Sequence, residues 1–410
     1  MKKRKLTLAF LCMLFASKST FAQETQTDST QTENNNYHSR KLKIEEMNFV
    51  TGYYVQNGNN AAVTGGIGDE NLTDIATTFN ISLAKYDEKD NKHSLNLEMG
   101  VDAYTSASSD KIDPSTISSA SNADMRIYPS VNYLYQNDKN RYKVGAGYTM
   151  SSEYDYTSNG LNALFSKWSK DKNKEVTAKA SVFLDQWKVI YPIELRPVGY
   201  GSGSEHGSGQ IDTEDRNSYN FGIVYSQVIN QNLQLALLAD YGYQEGLLAT
   251  RFHRTYFTDG SKKVENLPDT RTKIPVGLRA SYFLGDNMVL RGFYRYYTDN
   301  WDVQAHTASL EVSYKITPFV SIAPSYRFYT QTQAEYFAPY SMHDPQSSYY
   351  TSDYDLSKFT SSLYGLNLRF ANLNDKFFID NLNSLDIRYG YYNRSTGLNA
   401  HSITFALNFK

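Results

Sequence analysis

The stretch Ser402 to Lys410 reads Ser-Ile-Thr-Phe-Ala-Leu-Asn-Phe-Lys. Ile403, Phe405, Leu407 and Phe409 fall on one face of an extended chain. Thr404, Ala406, Asn408 and Lys410 fall on the other. Strict alternation of this kind marks a β-strand with one apolar and one polar face. Soluble domains rarely finish on so apolar a strand, because chain ends fray. A membrane barrel has a use for one: its last strand pairs with its first and removes the open edge.

The same alternation runs back through the chain. Leu95, Leu97, Met99, Val101 and Ala103 alternate with Ser94, Asn96, Glu98, Gly100 and Asp102. Leu233, Leu235, Leu237, Ala239 and Tyr241 do so further on, as do Ala308, Leu310, Val312 and Tyr314. A sandwich strand would alternate too, but it is usually about five or six residues long, whereas these segments suit a tilted membrane crossing of roughly ten. The pattern predicts strands near 47–56, 73–86, 92–104, 125–136, 141–153, 161–169, 174–188 and 217–229. It predicts others near 232–244, 270–285, 287–299, 303–316, 318–331, 358–371, 384–394 and 400–410. That makes about sixteen strands, an even number as in bacterial barrels.

The connections sort by length. Asp87 to Asn91, Gln136 to Asn140, Lys170 to Asn173, Ile229 to Gln231 and Gly285 to Asp286 are tight turns. They alternate with long connections at 57–72, 105–124, 189–216, 245–269 and 332–357. Short turns at one end and long loops at the other are the habit of outer-membrane barrels. Ala371 to Asn383 is a longer turn on the short-turn side. The expected fold is therefore all-β: one antiparallel transmembrane barrel with short periplasmic turns and long extracellular loops.

Composition agrees. Hydrophobic residues make up 40% of the 410, with 35 Tyr and 21 Phe, and mean hydropathy is −0.56. A helical membrane protein is excluded, while a wall with one wet and one apolar face is accommodated. Residues 1–22 have the basic start, short apolar run and Thr20-Phe21-Ala22 end of a secretory signal. Cys12, the only cysteine, lies inside it, so no disulfide is expected after cleavage. Loss of Lys2, Lys3, Arg4, Lys5 and Lys18 leaves a net charge of about −7, which argues against nucleic-acid binding. Residues 23–46 read as a flexible periplasmic lead-in and 47–410 as the barrel.

On the polar faces the charges are mixed. Basic candidates for the lumen wall are Arg126, Lys143, Lys179, Arg279, Arg291, Arg295, Arg327, Arg369 and Arg388. Acidic ones are Glu98, Asp102, Asp185, Asp240, Glu311 and Asp386. Such groups either set a field that selects solutes or pair across strands and stiffen the wall. Both readings stand at this point. The histidines show no zinc-motif spacing. His343-Asp344 and Asp353-Tyr354-Asp355 could contribute to a cation site, although polar loop packing explains them as well. No catalytic residue and no cofactor is called for. Gly65-Gly66-Ile67-Gly68 and Gly199 to Gly209 read as flexible loop.

Two long loops are rich in rings. One holds Phe252, His253, Arg254, Tyr256 and Phe257; the other holds Tyr336, Phe337, Tyr340, His343, Tyr349, Tyr350, Asp353, Tyr354 and Asp355. Left in water, so many rings would form a sizeable apolar patch. They are expected to pack together as a cap over the mouth, with Arg254 pairing to Asp353 or Asp355.

These loops also carry a resemblance. Ala62 to Gly68, Ile117 to Ala120 with Asp124 to Pro129, Phe252 to Phe257 with Leu267-Pro268-Asp269, and Tyr336 to Tyr340 with Tyr349 to Leu356 occur in order. Together they resemble the bacterial family called domain of unknown function 3570, over nearly all of the chain after its leader. The resemblance implies an outer-membrane barrel without an assigned activity. It also implies association with thioredoxin-like and flavin-transferase proteins, hence a periplasmic or surface redox or export partner. The other expected partners are outer-membrane lipid and, through the C-terminal strand, the barrel-insertion machinery. The leading expectation is a channel or transporter for a small hydrophilic solute. A non-conducting docking barrel comes second, and a surface barrel enzyme stands well behind.

Overall fold

The computed structural model describes residues 40–105, 123–198, 212–371 and 381–410. The expected leader, nearly all of the lead-in, Ile117 to Ala120 and Gly199 to Gly209 lie outside the described residues. The strands are β1 (Lys43–Asn57), β2 (Leu72–Tyr86), β3 (Lys92–Thr105), β4 (Ala123–Asn137), β5 (Tyr142–Ser152), β6 (Tyr156–Trp168), β7 (Lys174–Lys188), β8 (Thr213–Val228) and β9 (Leu233–Gly246). Then come β10 (Arg254–Tyr256), β11 (Lys262–Val264), β12 (Thr270–Leu284), β13 (Met288–Asp299), β14 (Gln304–Thr317), β15 (Val320–Gln331), β16 (Phe359–Ala371), β17 (Leu382–Arg394) and β18 (Asn399–Phe409). All but β10 and β11 form one closed antiparallel barrel, in which each strand pairs with its sequence neighbours and β18 closes on β1. The sixteen wall strands are those the alternation predicts.

Register shows why the alternation decides the fold. Phe49 stands opposite Leu407 on one side and Phe79 on the other. Phe79 faces Met99, and Met99 faces Pro129. Tyr148 faces Val131 and Leu161; Tyr326 faces Leu310 and Tyr364. Apolar residues meet apolar residues all round the ring, and a slip of one residue at any pair would break the match. Polar rows run on the other face, for instance Ser82–Asn96–Asn132. Gly100 in such a row leaves room for the Tyr128 ring, whose carbons would lie 1.9 Å from a Cβ built there.

Burial is inverted relative to a soluble protein. Leu161 is 60% exposed and Leu237 56%, in mid-wall, whereas Trp301 and Phe257 in the connections are almost wholly enclosed. A closed wall with a continuous apolar outer face is stable only in lipid, and among sheets only a closed barrel pairs every backbone group there. The protein is an outer-membrane barrel.

Three wall strands start well before the alternation predicts: β6 at Tyr156 rather than 161, β8 at Thr213 rather than 217, and β1 at Lys43 rather than 47. β1 starts at Lys43, because a bulge between Ile44 and Glu46 breaks the period that a sequence reader follows. The hairpin β10–β11 lies inside a segment read as loop. Its signal was present: Asp259-Gly260 turns the chain, with Gly260 at φ 81. At the short-turn end, Asp87 accepts from the backbone N–H of Lys89 and Asn91 at 2.8 and 2.9 Å. Hydrogen bonds from Asn91 hold its carboxyl far below the usual range.

Candidate functional site

The ring order sets the geometry of the mouth. Reading round the wall from β1, the strands run β18, β17, β16, β15, β14, β13, β12, β9, so the β9–β12 connection rises diametrically opposite the β1–β2 connection. A sixteen-strand wall of ordinary spacing and tilt is roughly 30 Å across. Yet the two connections touch. Arg254, fully buried, donates from Nη1 to the Val63 carbonyl at 2.8 Å. Gly65 and Gly66 lie against Tyr256 and Ser352 so closely that an added Cβ would meet either at 2.6 Å, and both have positive φ (83 and 86). These glycines are therefore sites of close approach rather than of loop flexibility. Contacts between opposite sides of the ring require the loops to cross the mouth.

Arg254 also grips a third connection. Its Nε donates to Glu194 Oε1 at 2.7 Å and its Nη2 to Glu194 Oε2 at 3.3 Å. Lys262 Nζ adds a second cation at 3.6 Å. The pairing expected with Asp353 or Asp355 gives way to this fork, since Glu194 from the β7–β8 connection presents both oxygens to the guanidinium. Asp355 instead accepts from Arg394 Nη1 at 2.5 Å. Glu194 was not foreseen, because nothing in its local sequence points to a residue sixty positions away.

The two ring-rich loops are zipped together. Tyr350 N–H donates to the Asn266 carbonyl at 2.7 Å, and Thr258 N–H donates to that of His343 at 3.0 Å. Phe257 packs on Tyr350 and His343, with centroids 4.9 and 5.8 Å apart. Tyr256 meets Tyr340 at 4.6 Å, and Phe337 meets Tyr354 at 5.2 Å. Tyr336 contacts Trp301 and Tyr349 at 5.9 and 5.5 Å. Ala249, Leu267, Trp301, Val303 and Ala334 form a buried core beneath them. Full burial of each large apolar side chain contributes about 1.5–3 kcal/mol. Phe252 belongs to the same connection and is partly exposed.

A buried polar knot lies inside this cap. Glu265 accepts from Thr351 Oγ1 at 2.5 Å and from Thr250 N–H at 2.6 Å, with His253 Nδ1 3.5 Å away. Burial would raise the Glu265 carboxyl, but His253, Thr351 and Thr250 hold it below its ordinary value. Burial alone would depress His253, yet the Glu265 carboxylate beside it raises it overall. Asp353 is pushed up to about 6, first by burial and then by the Asp355 charge. Burial lowers His343, whose ring contacts the Thr351 carbonyl and Ser352 Oγ at 3.1 and 3.2 Å. Asp344 accepts from Gln346 N–H, so this pair is engaged in loop packing.

A group whose folded pKa is raised stabilises the fold below its ordinary pKa, and that contribution is lost as pH rises through the raised value. Asp353 therefore strains the closed cap increasingly as pH rises from its ordinary value near 4 to about 6, and in full above that. Replacement by Asn should remove that strain, worth at most about 3 kcal/mol at neutral pH. At pH 7.5 the Asp353→Asn loops should resist protease longer than wild type, with the difference gone only below about pH 4. Equal protection at both pH values would contradict this.

The charged lumen candidates stand on the wall face opposite the apolar row, some beside polar neighbours and some beside apolar ones, as with Arg279 opposite Phe293 and Arg327 opposite Leu363. Several are paired: Arg291 with Glu311 at 2.6 Å, Arg369 with Asp386 at 3.6 Å, Lys143 with Glu175 at 3.0 Å. Arg126 contacts Glu153 at 3.5 Å, and Asp185 takes Arg216 at 3.7 Å and Ser158 at 2.6 Å. Asp102 accepts from Tyr128 at 2.8 Å, and Glu98 from Asn80 at 3.4 Å. Arg279, Arg295, Arg327 and Arg388 have no carboxylate in ion-pair range among the described residues, and neither do Lys179 and Asp240 an opposite charge. The sorting into paired and unpaired depends on strand register, which composition does not show.

Fold and site together define a loop-capped, porin-like barrel of the bacterial outer membrane. The chain belongs to the family described as "Protein of unknown function (DUF3570)", whose model matches residues 5–404. No curated protein matches it. Similar solved structures include Pseudomonas aeruginosa OpdK with vanillate, 6% identical with TM-score 0.40, covering 89% of this chain and 97% of that one. A bacterial polysaccharide outer-membrane secretin is 8% identical with TM-score 0.46, covering 89% and 98%. Acinetobacter baumannii OccAB3 is 9% identical with TM-score 0.42, covering 90% and 99%.

Proposed function

We propose that the protein is a channel or transporter for small hydrophilic solutes, with its extracellular mouth narrowed by the loop cap. One observation carries this reading. Arg279, Arg295, Arg327 and Arg388 point inward near the middle of the wall and are nevertheless solvent-exposed. A lumen filled by protein would bury them and would have to pair them, because an unpaired buried charge is expensive. Sixteen-strand barrels of this kind leave an aqueous passage.

Liposome swelling tests the reading. Folded protein reconstituted with small sugars and amino acids should admit the smaller solutes, and deletion of 338–352 should raise the rates and the size limit. Swelling no faster than in protein-free liposomes, for wild type and deletion alike, would turn the case toward a docking barrel. That second reading is favoured by the cap's outer surface, where Met342 is 66% and Tyr349 43% exposed. A redox or export partner would seat there.

A further inference from the structure

Resting on the channel reading, we infer that the lumen holds a binding site for small solutes bearing two or more oxyanion groups, built by Arg279, Arg295 and Arg327. Arg279 stands opposite Phe293, Phe293 opposite Ser309, and Ser309 opposite Arg327. The two arginines thus share one row on strands three places apart, a backbone separation of about 14 Å. Arg295 projects from the same face two residues above Phe293, about 7 Å higher. On the concave side of a closed wall, long side chains converge, so three guanidinium forks reach toward a common volume.

Their chemistry is unspent. Arg291, four residues before Arg295 on β13, is committed to Glu311. Among the described residues, the aromatic contact of the three is Arg279 over Phe293, at 6.0 Å to the ring centroid. Guanidinium presents a planar fork that matches carboxylate or phosphate. The opposite wall supplies the counter-charge: Glu98 on β3 stands eight ring positions from β13, directly across the lumen, without a cationic partner among the described residues. The field between Glu98 and the arginines runs across the passage and concentrates anions against the β12–β15 wall. Structural arginines would be expected to pair along the ladder, as Arg291 does; these do not.

Two measurements on the folded, detergent-solubilised or reconstituted barrel test the site. In calorimetry with citrate as probe, wild type should bind, and R279Q/R295Q/R327Q should bind about tenfold more weakly or worse. The Lys triple at the same positions, which keeps the charge and loses the fork, should fall between. K89Q/K139Q/K172Q, which removes the same charge from the periplasmic turns, should bind as wild type does. Absence of citrate binding, or equal binding by wild type and the Gln triple, overturns the site. In bilayers under a KCl gradient, the reversal potential of wild type should indicate anion preference, lost in the Gln triple. Conductance without anion preference also overturns the site while leaving the channel reading intact. Absence of conductance with citrate binding retained overturns the channel reading and leaves the site standing.

Discussion

Arg254→Ala should open the mouth of the barrel without unfolding its wall. Arg254 is wholly buried and joins three connections: its own, that of Val63 and that of Glu194. Truncation leaves Glu194, only 19% exposed, facing a void with Lys262 still 3.6 Å away. Breaking a buried pair from one side typically costs about 3–5 kcal/mol. That is enough to shift the loops from closed to open most of the time. The wall does not share the loss, because its ladders run strand to strand below the loops. Protease should therefore cleave 247–269 and 332–358 quickly in the variant, while the unboiled gel band stays in its folded position. Arg254→Lys should fall between, since an ammonium cannot make the bidentate contact. Loops cut no faster in Arg254→Ala than in wild type would show that the cap is held elsewhere.

Leu97→Arg should fold into membranes far less well than Asn96→Arg. The residues are adjacent, yet Leu97 stands between Ile81 and Val131, and Asn96 between Ser82 and Asn132. One row meets lipid and the other faces the lumen. A charge on the lipid face near mid-depth costs about 2–4 kcal/mol, and on the lumen face little. Folding yields in liposomes, read from the fraction of heat-modifiable band, should differ accordingly. Equal yields would mean that the two faces have been exchanged.

The barrel was legible in the chain because its signal is local. Period two, turn residues and loop length each show within a few neighbouring positions, and the same apolar row must match all round the ring. The cap was legible only as a concentration of rings. Phe257, Tyr350 and Tyr336 were visible as residues that water would not favour. Their neighbours Glu265, Thr351 and Trp301 were not, since each is an ordinary polar or single aromatic residue until the loops meet. Arg254 was singled out with the wrong partner for the same reason: an ion pair between two separate connections, sixty positions apart, leaves no trace in spacing. The glycines at 65 and 66 show the reverse error, where a composition that suggests freedom marks a close contact in the cap. Register, finally, decides which arginines find carboxylates. Arg291 and Arg295 look alike in sequence, and only the strand alongside distinguishes them.

The central claim is a water-filled lumen beneath a cap that crosses it. Single-channel recording in planar bilayers, wild type beside Arg254→Ala, tests it most directly. Discrete current steps are expected from the folded wild type, with larger or longer-lived openings in the variant. Folded barrels of both proteins that insert and pass no current would contradict the account.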